Sequence, residues 1–165
     1  MSRTRSFKFP NSLTEFETPL DKLQRRQCNM VFNTAGLAIK TGGSAIVKTV
    51  NTIKAVIDGV LVSKAAADCA ALVGTVTNAK FNVFVFTVNA SGTLTTYMGT
   101  EAATRAGVLW PSITDGEAVI GFIEVNPTGT GNFVGGTTAL DDGTVIPGVV
   151  YVNTPFPFIP GMETL

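Results

Sequence analysis

The side chains that most often carry out catalysis are scarce in this sequence. The 165-residue chain contains no histidine, which excludes Ser-His and Cys-His nucleophile pairs, general acid-base catalysis by histidine, and zinc sites that use imidazole. The two cysteines, Cys28 and Cys69, lie 41 positions apart and form no CxxC motif. They cannot supply a four-thiolate metal site. We expect two free thiols, although one disulfide between them is arithmetically possible.

The carboxylates offer two pairs with chemical potential. Asp141 and Asp142 are adjacent and precede Gly143, a pattern typical of a turn, and the further oxygen ligands of an EF-hand are absent. Glu117 and Glu124 could in principle be the two carboxylates of a glycosidase, but nothing else supports that role. We therefore predict no enzymatic activity, no metal and no cofactor.

The glycine-rich segments do not match a phosphate-binding loop either. In Lys40–Ser44 the lysine precedes the glycines, and neither this segment nor Gly129–Gly131 has the six-residue frame of the Walker motif. Both segments therefore predict turns between strands.

The composition predicts that the chain folds mainly into β-strands. The chain has 23 Thr and 19 Val, together with 17 Gly and 8 Pro. Because β-branched side chains fit an extended backbone and crowd a helix, this surplus favours an all-β domain with many turns.

The strongest local signal is a hairpin at Asp58-Gly59, which lies between the apolar runs Ile53–Ile57 and Val60–Val62. Both central residues of a type I′ turn need positive φ, and Asp-Gly supplies them. Further turns are predicted along the chain, and the structural turn residues are Asp58, Gly59, Gly92, Gly136, Asp141, Asp142 and Gly143.

Two longer apolar runs predict strands, the first of them central in its sheet. Phe81–Val88 is apolar at most positions, which is typical of a strand buried on both faces. Val119–Val125 predicts another strand, in which Gly121 marks a close approach of a neighbour. Further strands are expected at Ala45–Val50, at Thr93–Met98 (which forms a second hairpin with the preceding strand), at Phe133–Thr138 and at Thr144–Val152.

Short helices are expected at two places, the alanine-rich Lys64–Val73 and the segment Glu101–Ala106. The overall prediction is a mainly β fold, an antiparallel β-sandwich or barrel-like domain with one or two short helices. An extended N-terminal arm (1–30) precedes the β domain (31–154). The segment 155–165 is proline-rich at its start and predicts an extended apolar tail.

The predicted arm differs from the rest of the chain in composition. It lacks valine and glycine and combines basic residues with phenylalanines, a pattern that suggests aromatic anchors for a partner. The residues that we expect to bind a partner are Arg3, Arg5, Phe7, Lys8, Phe9, Phe16, Arg25 and Arg26.

Charge is balanced in total but not along the chain. Residues 1–105 hold all 12 Lys and Arg and six acids, a net charge of +6, whereas residues 106–165 hold six acids and no base. Such asymmetry bears on association. The arm could dock on an acidic protein surface or bind nucleic acid, or the excess could be an ordinary solvated surface. We expect protein docking and no nucleic acid, because the arm has no continuous Lys/Arg run.

A series of short segments between Ile57 and Thr154 has a distinctive composition. Its members are IDGV (57–60), KAAAD (64–68), NASGTLTTYMG (89–99), WP (110–111), AVIGFI (118–123), NPTGTGNFVGGTTALDD (126–142) and VYVNT (150–154). This series resembles a group of tailed-bacteriophage virion structural proteins of the capsid decoration, head-fibre or minor structural type. The similarity covers about 60% of the chain and rests mostly on turn and core positions. It implies a non-enzymatic β-rich module on the virion.

Our first hypothesis is a capsid decoration (cement) protein that binds the outside of a tailed-phage head and stabilises the shell. Its partners would be the major capsid protein and further copies of itself, as a homo-oligomer with a trimer favoured and a dimer second. The alternative is a head-fibre or tail-associated host-recognition module that binds glycans; the absence of heptads in the arm counts against a coiled-coil stem.

No membrane partner is expected, because the chain shows no signal peptide and no apolar stretch approaching 18 residues. The expected location is the capsid surface of the virion, after assembly in the host cytoplasm.

Overall fold

The computed structural model describes residues 28–156, 158 and 160. Within them the chain is mainly β, all strand pairs are antiparallel, and no helix reaches seven residues. The strands are β1 (Met30–Val31), β2 (Leu37–Ile39), β3 (Val47–Thr49), β4 (Ile53–Ile57), β5 (Val60–Lys64), β6 (Thr75–Val76), β7 (Asn82–Asn89), β8 (Leu94–Met98), β9 (Glu117–Val125), β10 (Phe133–Val134) and β11 (Val149–Asn153). The prediction of a mainly β, antiparallel fold is confirmed.

The largest sheet has four strands in the order β11-β9-β7-β8. Its central strand β7 is buried at every position from Asn82 to Val88. Phe84 and Phe86 project into one core, and Val83 and Val85 project into another on the opposite face. The apolar run therefore forms a strand covered on both sides, as its composition predicts.

A three-stranded sheet in the order β1-β4-β5 contributes to the first of these cores. The buried positions of β4 alternate, with Ile53, Ala55 and Ile57 facing inwards. The same core includes Phe84 and Phe86 of the larger sheet, so the two sheets enclose it between them. This arrangement is compatible with a β-sandwich.

The second core lies on the other face of the four-stranded sheet and contains an aromatic cluster. The Trp110 ring meets Phe122 edge-on, with centroids 4.9 Å apart, and it meets Phe158 at 5.5 Å. Phe122 and Phe158 are stacked at 5.8 Å. Phe158 of the predicted tail is thus part of a packed cluster.

Gly121 lies in β9 with φ 152°, and a Cβ there would collide with the Val152 carbonyl oxygen and the Leu37 side chain. Only a residue without a Cβ permits this approach of β11 to β9.

The prediction of a helix at Lys64–Val73 is wrong. After β5 the segment runs extended beside β3: Ala67 accepts a hydrogen bond from the Thr49 N–H (2.9 Å), and the Cys69 N–H donates to Val47 (2.8 Å). Pairing and the burial of Leu72 override the helix propensity of the alanines.

Three other boundaries also differ from the predictions. The expected helix at 101–106 is a single 3₁₀ turn at Arg105–Gly107. The strand expected over 133–138 ends at Val134, because the chain turns at Gly136, where φ is 71°. The strand expected from Thr144 begins only at Val149. No helix in the described residues is long and apolar enough to cross a membrane.

Candidate binding surface

The Asp58-Gly59 turn joins β4 to β5, with φ values of 49° and 79°. Both residues adopt the left-handed conformation that a type I′ turn requires. The Asp58 N–H donates to the buried Asn29 side-chain oxygen at 2.8 Å. The hairpin tip is therefore fixed to the residue that precedes β1.

This contact defines where the N-terminal segment joins the β domain. The eight predicted arm residues lie outside the described residues: Arg3, Arg5, Phe7, Lys8, Phe9, Phe16, Arg25 and Arg26. The described chain begins at the exposed Cys28, followed by Asn29 and β1. The segment that carries the predicted anchors is thus attached to the domain beside the Asp58 turn.

The three-stranded sheet has an outer face, which we define as Met30, Phe32, Lys54, Val56, Leu61 and Ser63. Its members form two cross-strand rows, Met30–Val56–Leu61 and Phe32–Lys54–Ser63. Leu61 is 79% exposed and Phe32 is 48% exposed, and Lys54 donates to the Ser63 hydroxyl at 2.6 Å. The outer face is an apolar surface with one cation and no carboxylate, in contrast to the packed inner face.

The two edges of this sheet differ. In a two-residue hairpin the residues that flank the turn form a hydrogen-bonded pair, so Val60, Val62 and Lys64 point their backbone groups at β4. The backbone groups of Leu61 and Ser63 therefore point away from the sheet, where no described residue bonds to them. At the opposite edge, the outward carbonyl of Val31 accepts a hydrogen bond from Phe156 at 2.7 Å.

The remaining predicted turn residues have structural contacts. Asp141 accepts a hydrogen bond from the Gly43 N–H with both carboxylate oxygens at 3.0 Å. Asp142 accepts from the Thr144 N–H at 2.9 Å, closing its own turn. The Asp141–Gly143 turn therefore meets the turn at Gly43, and its two carboxylates cap backbone N–H groups.

Gly92 and Gly136 both have positive φ, 76° and 71°. Gly92 turns β7 into β8 and lies close to the stem of Lys64, whereas Gly136 lies against the Leu72 carbonyl.

Glu117 and Glu124 do not form a catalytic pair. They lie at opposite ends of β9, roughly 20 Å apart at the rise of a strand, whereas glycosidase carboxyl groups are within about 10 Å. Glu117 accepts a hydrogen bond from Thr87 at 2.5 Å, and Glu124 is paired with Arg105 at 2.5 Å. Hydrogen bonding and the Glu124 charge raise the pKa of Arg105.

The two cysteines are both free, Cys28 exposed and Cys69 buried. Burial, with a smaller contribution from the neighbouring Asp68 charge, raises the pKa of the Cys69 thiol to about 12. Cys69 is thus a core residue that stays protonated. Within the described part of the chain, no group of three or more Cys, Asp or Glu side chains could hold a metal ion.

Comparison of the chain with protein-family models, with curated proteins and with solved structures gave no match.

Sequence reasoning missed the outer face and the open edge of β5. One signal was present: Val60, Leu61 and Val62 are three consecutive apolar residues directly after the hairpin turn. Since neighbouring side chains in a strand point to opposite faces, such a run places at least one apolar side chain on the face away from the core.

Proposed function

We propose that this chain is a capsid decoration protein, which binds the outside of a tailed-phage head through its major capsid protein and stabilises the shell. The observation that carries the proposal is a juxtaposition. The segment with the basic and phenylalanine anchors joins the domain at Asn29, beside Asp58 and next to the exposed apolar outer face.

The outer face provides the apolar part of such a contact. Leu61, Phe32 and their row neighbours present apolar area that no described residue covers fully. Burying this area against a partner removes it from water, and exposed apolar surface of this kind is characteristic of interaction sites.

The N-terminal segment provides the charged part. Residues 1–26 contain six basic and three acidic residues, so they favour an acidic partner surface. Residues 28–156 contain six basic and eight acidic residues and have a net charge of −2. The segment proposed to dock therefore has a net charge of +3, opposite in sign to that of the described domain.

The resemblance of residues 57–154 to phage virion structural proteins supplies the identity of the proposed partner. A compact β domain with two packed cores suits a component that is held rigidly on a shell. Contacts made by many copies would add up over the shell, because each bound copy joins neighbouring subunits.

The decisive experiment measures binding of the purified protein to undecorated heads of the phage that encodes it. Wild-type protein should co-sediment with the heads and raise the temperature at which they release DNA. A variant without residues 1–26 should lose most of the binding, and undiminished binding would refute the role of this segment.

The outer face is tested in the same assay by Phe32→Ser. Val73→Ser is the matched control, because Val73 is also exposed (75%) but lies outside the three-stranded sheet. Phe32→Ser should weaken binding several-fold and Val73→Ser should leave it unchanged. Equal affinities of the two variants would contradict the use of the outer face.

Localisation separates decoration from the host-recognition alternative. An antibody or gold label on the protein should appear as a regular array over the head. A label confined to one vertex or to the tail would instead support the fibre or host-recognition role.

A further inference from the structure

The open edge of β5 has the features of a strand that pairs with another strand. Leu61 and Ser63 each direct one N–H and one C=O group away from β4, and no described residue bonds to these four groups. Unpaired edges of this kind readily accept a further strand.

Among the described residues, β5 has few of the usual protections of an edge strand. Its sequence, Val-Leu-Val-Ser-Lys, contains no proline and no glycine, and its register with β4 is regular over all five residues. The only charge is Lys64 at the end of the strand. At the other edge of the sheet, Phe156 covers the outward carbonyl of Val31. Natural proteins usually block an exposed edge with such devices, so β5 is suited to pairing.

We infer that the occupant of this edge is β5 of a second copy, paired antiparallel about a two-fold axis at Val62. In this register Leu61 faces Ser63 of the second copy, and Ser63 faces its Leu61. The outward groups of the four residues then form four backbone hydrogen bonds. The two sheets join into one sheet of six strands.

Self-complementarity of the edge supports a second copy as the occupant. The two outward residues, Leu61 and Ser63, lie symmetrically about Val62, so a two-fold axis there pairs every outward N–H and C=O group of one copy with one of the other. Lys64, the one charge in β5, then lies opposite the apolar Val60 of the second copy, so the register brings no like charges directly opposite each other.

The exposed leucine is also accounted for. Leu61, 79% exposed in the single chain, becomes a diagonal neighbour of Leu61 of the second copy on the joined outer face. Each row Met30–Val56–Leu61 then continues into the row Ser63–Lys54–Phe32 of the second copy, and the two leucines meet diagonally at the junction of the six-stranded sheet. A sheet pairing of five residues per chain is at the small end of stable interfaces, so the dimer should dissociate at low concentration.

This contact specifies the homo-oligomer of the decoration hypothesis, on which it rests for its biological role, and it favours the dimer over the trimer. The dimer has twice the outer-face area of one chain and carries two N-terminal segments. When one segment binds the head, the effective concentration of the other at the head surface increases.

The first test uses proline at an outward position. Ser63→Pro removes an N–H that points away from β4, so the ladder within the hairpin keeps its bonds while the edge loses a donor in each copy. Ser63→Ala keeps the N–H and is the control. Analytical ultracentrifugation should show a concentration-dependent dimer for wild type and Ser63→Ala, and a dissociation constant weakened roughly tenfold or more for Ser63→Pro.

Three outcomes of this test overturn the proposal. They are a wild-type protein that is monomeric at all concentrations, an oligomer that is not a dimer, and a Ser63→Pro protein that dimerises like wild type. Circular dichroism and thermal unfolding verify that Ser63→Pro is folded. If Ser63→Pro does not fold, amide hydrogen exchange on wild-type protein replaces it, because the Leu61 and Ser63 N–H groups should become protected as concentration rises.

The register is tested by cross-linking. Leu61→Cys combined with Ser63→Cys, in a Cys28→Ser background, should give a disulfide-linked dimer on mild oxidation, and the buried Cys69 should not react. The control is Lys54→Cys combined with Val56→Cys, which places both cysteines on the neighbouring strand β4. This variant should cross-link far less. If deletion of residues 1–26 abolishes the dimer and the 61/63 pair fails to cross-link, the N-terminal segment is the occupant and the inference is wrong.

These measurements are made in solution without phage heads, so they are independent of the function test. A wild-type protein that is monomeric in solution and still binds heads would retain the proposed function and contradict the β5 contact. A dimer that binds no heads would support the β5 contact and contradict the decoration role.

Discussion

At the scale of single residues, Glu101 shows how a surface carboxylate connects two loops. It accepts hydrogen bonds from Lys80 Nζ at 2.7 Å and from the Thr77 N–H at 2.7 Å. The bond to Lys80, followed by the backbone bond to Thr77, lowers the pKa of Glu101 from 4.5 to about 2. The charged carboxylate is therefore the form that the folded state stabilises.

This lowered pKa gives a pH prediction with a defined sign. The folded state binds the proton more weakly than the unfolded chain, so Glu101 contributes stability above pH 4.5 that is lost as the pH falls through 4.5 towards about 2. The contribution is small, because the pair is partly exposed to solvent. The free energy of unfolding is measured in urea from pH 6 to about 2.5. It should fall less steeply with decreasing pH in Glu101→Gln than in wild type. An equal pH dependence of the two proteins would contradict the assignment of this effect to Glu101.

The two cysteines should differ in reactivity. With its pKa raised to about 12 and its side chain buried, Cys69 should not react with a thiol reagent at about pH 8, whereas the exposed Cys28 should. Native protein should therefore release one equivalent of chromophore per chain and urea-unfolded protein two. Two rapid equivalents in the native state would show that Cys69 is accessible.

At the scale of elements, Gly121 controls how β11 approaches β9. Gly121→Ala adds a Cβ that collides with the Val152 carbonyl and Leu37 at a φ of 152°. The free energy of unfolding should fall by about 2 to 4 kcal/mol. Gly143→Ala is the control, because a Cβ there meets nothing within 4 Å, and its effect should stay within about 0.5 kcal/mol. Similar losses in both variants would contradict the steric explanation.

The aromatic cluster connects the end of the chain to the second core. Phe158→Ala should lower the free energy of unfolding by about 1 to 3 kcal/mol. It should also shift the fluorescence of Trp110, the single tryptophan, to longer wavelength, because the indole loses its neighbour at 5.5 Å. Phe156→Ala is the control, since Phe156 is 64% exposed, and its emission should match that of wild type.

The sequence predicted the central elements better than the short ones. Phe81–Val88 and Val119–Val125 could be recognised because both are apolar at most positions, and a strand buried on both faces requires such a composition. Asp58-Gly59 could be recognised because few other residues adopt its turn conformation. Lys64–Val73 could not be predicted, since its conformation depends on backbone bonds to β3, which are invisible in a local pattern.

At the scale of the whole molecule, the uneven charge leads to a prediction about salt. If the basic segment 1–26 docks on an acidic shell, binding to heads should weaken as NaCl rises from about 0.05 to about 0.5 M, because the Debye length shrinks several-fold. Protein without residues 1–26 should retain a weaker, apolar binding with little salt dependence. Equal salt dependence of the two proteins would locate the electrostatic contact elsewhere.

The sequence by itself determined the fold class, the hairpin at Asp58-Gly59, the double-sided burial of β7 and the concentration of basic residues near the N-terminus. These features follow from side-chain period, backbone conformational preference and charge, which are local properties of a chain.

Only the tertiary structure decided which residues share a surface. Met30, Val56 and Leu61 are separated by up to 31 positions in the sequence, yet strand register aligns them in one row. Among the described residues, the edge at Phe156 is covered and the edge at β5 is open for the same reason. Pairing between distant strands determines which backbone groups remain available, and no local pattern encodes that pairing.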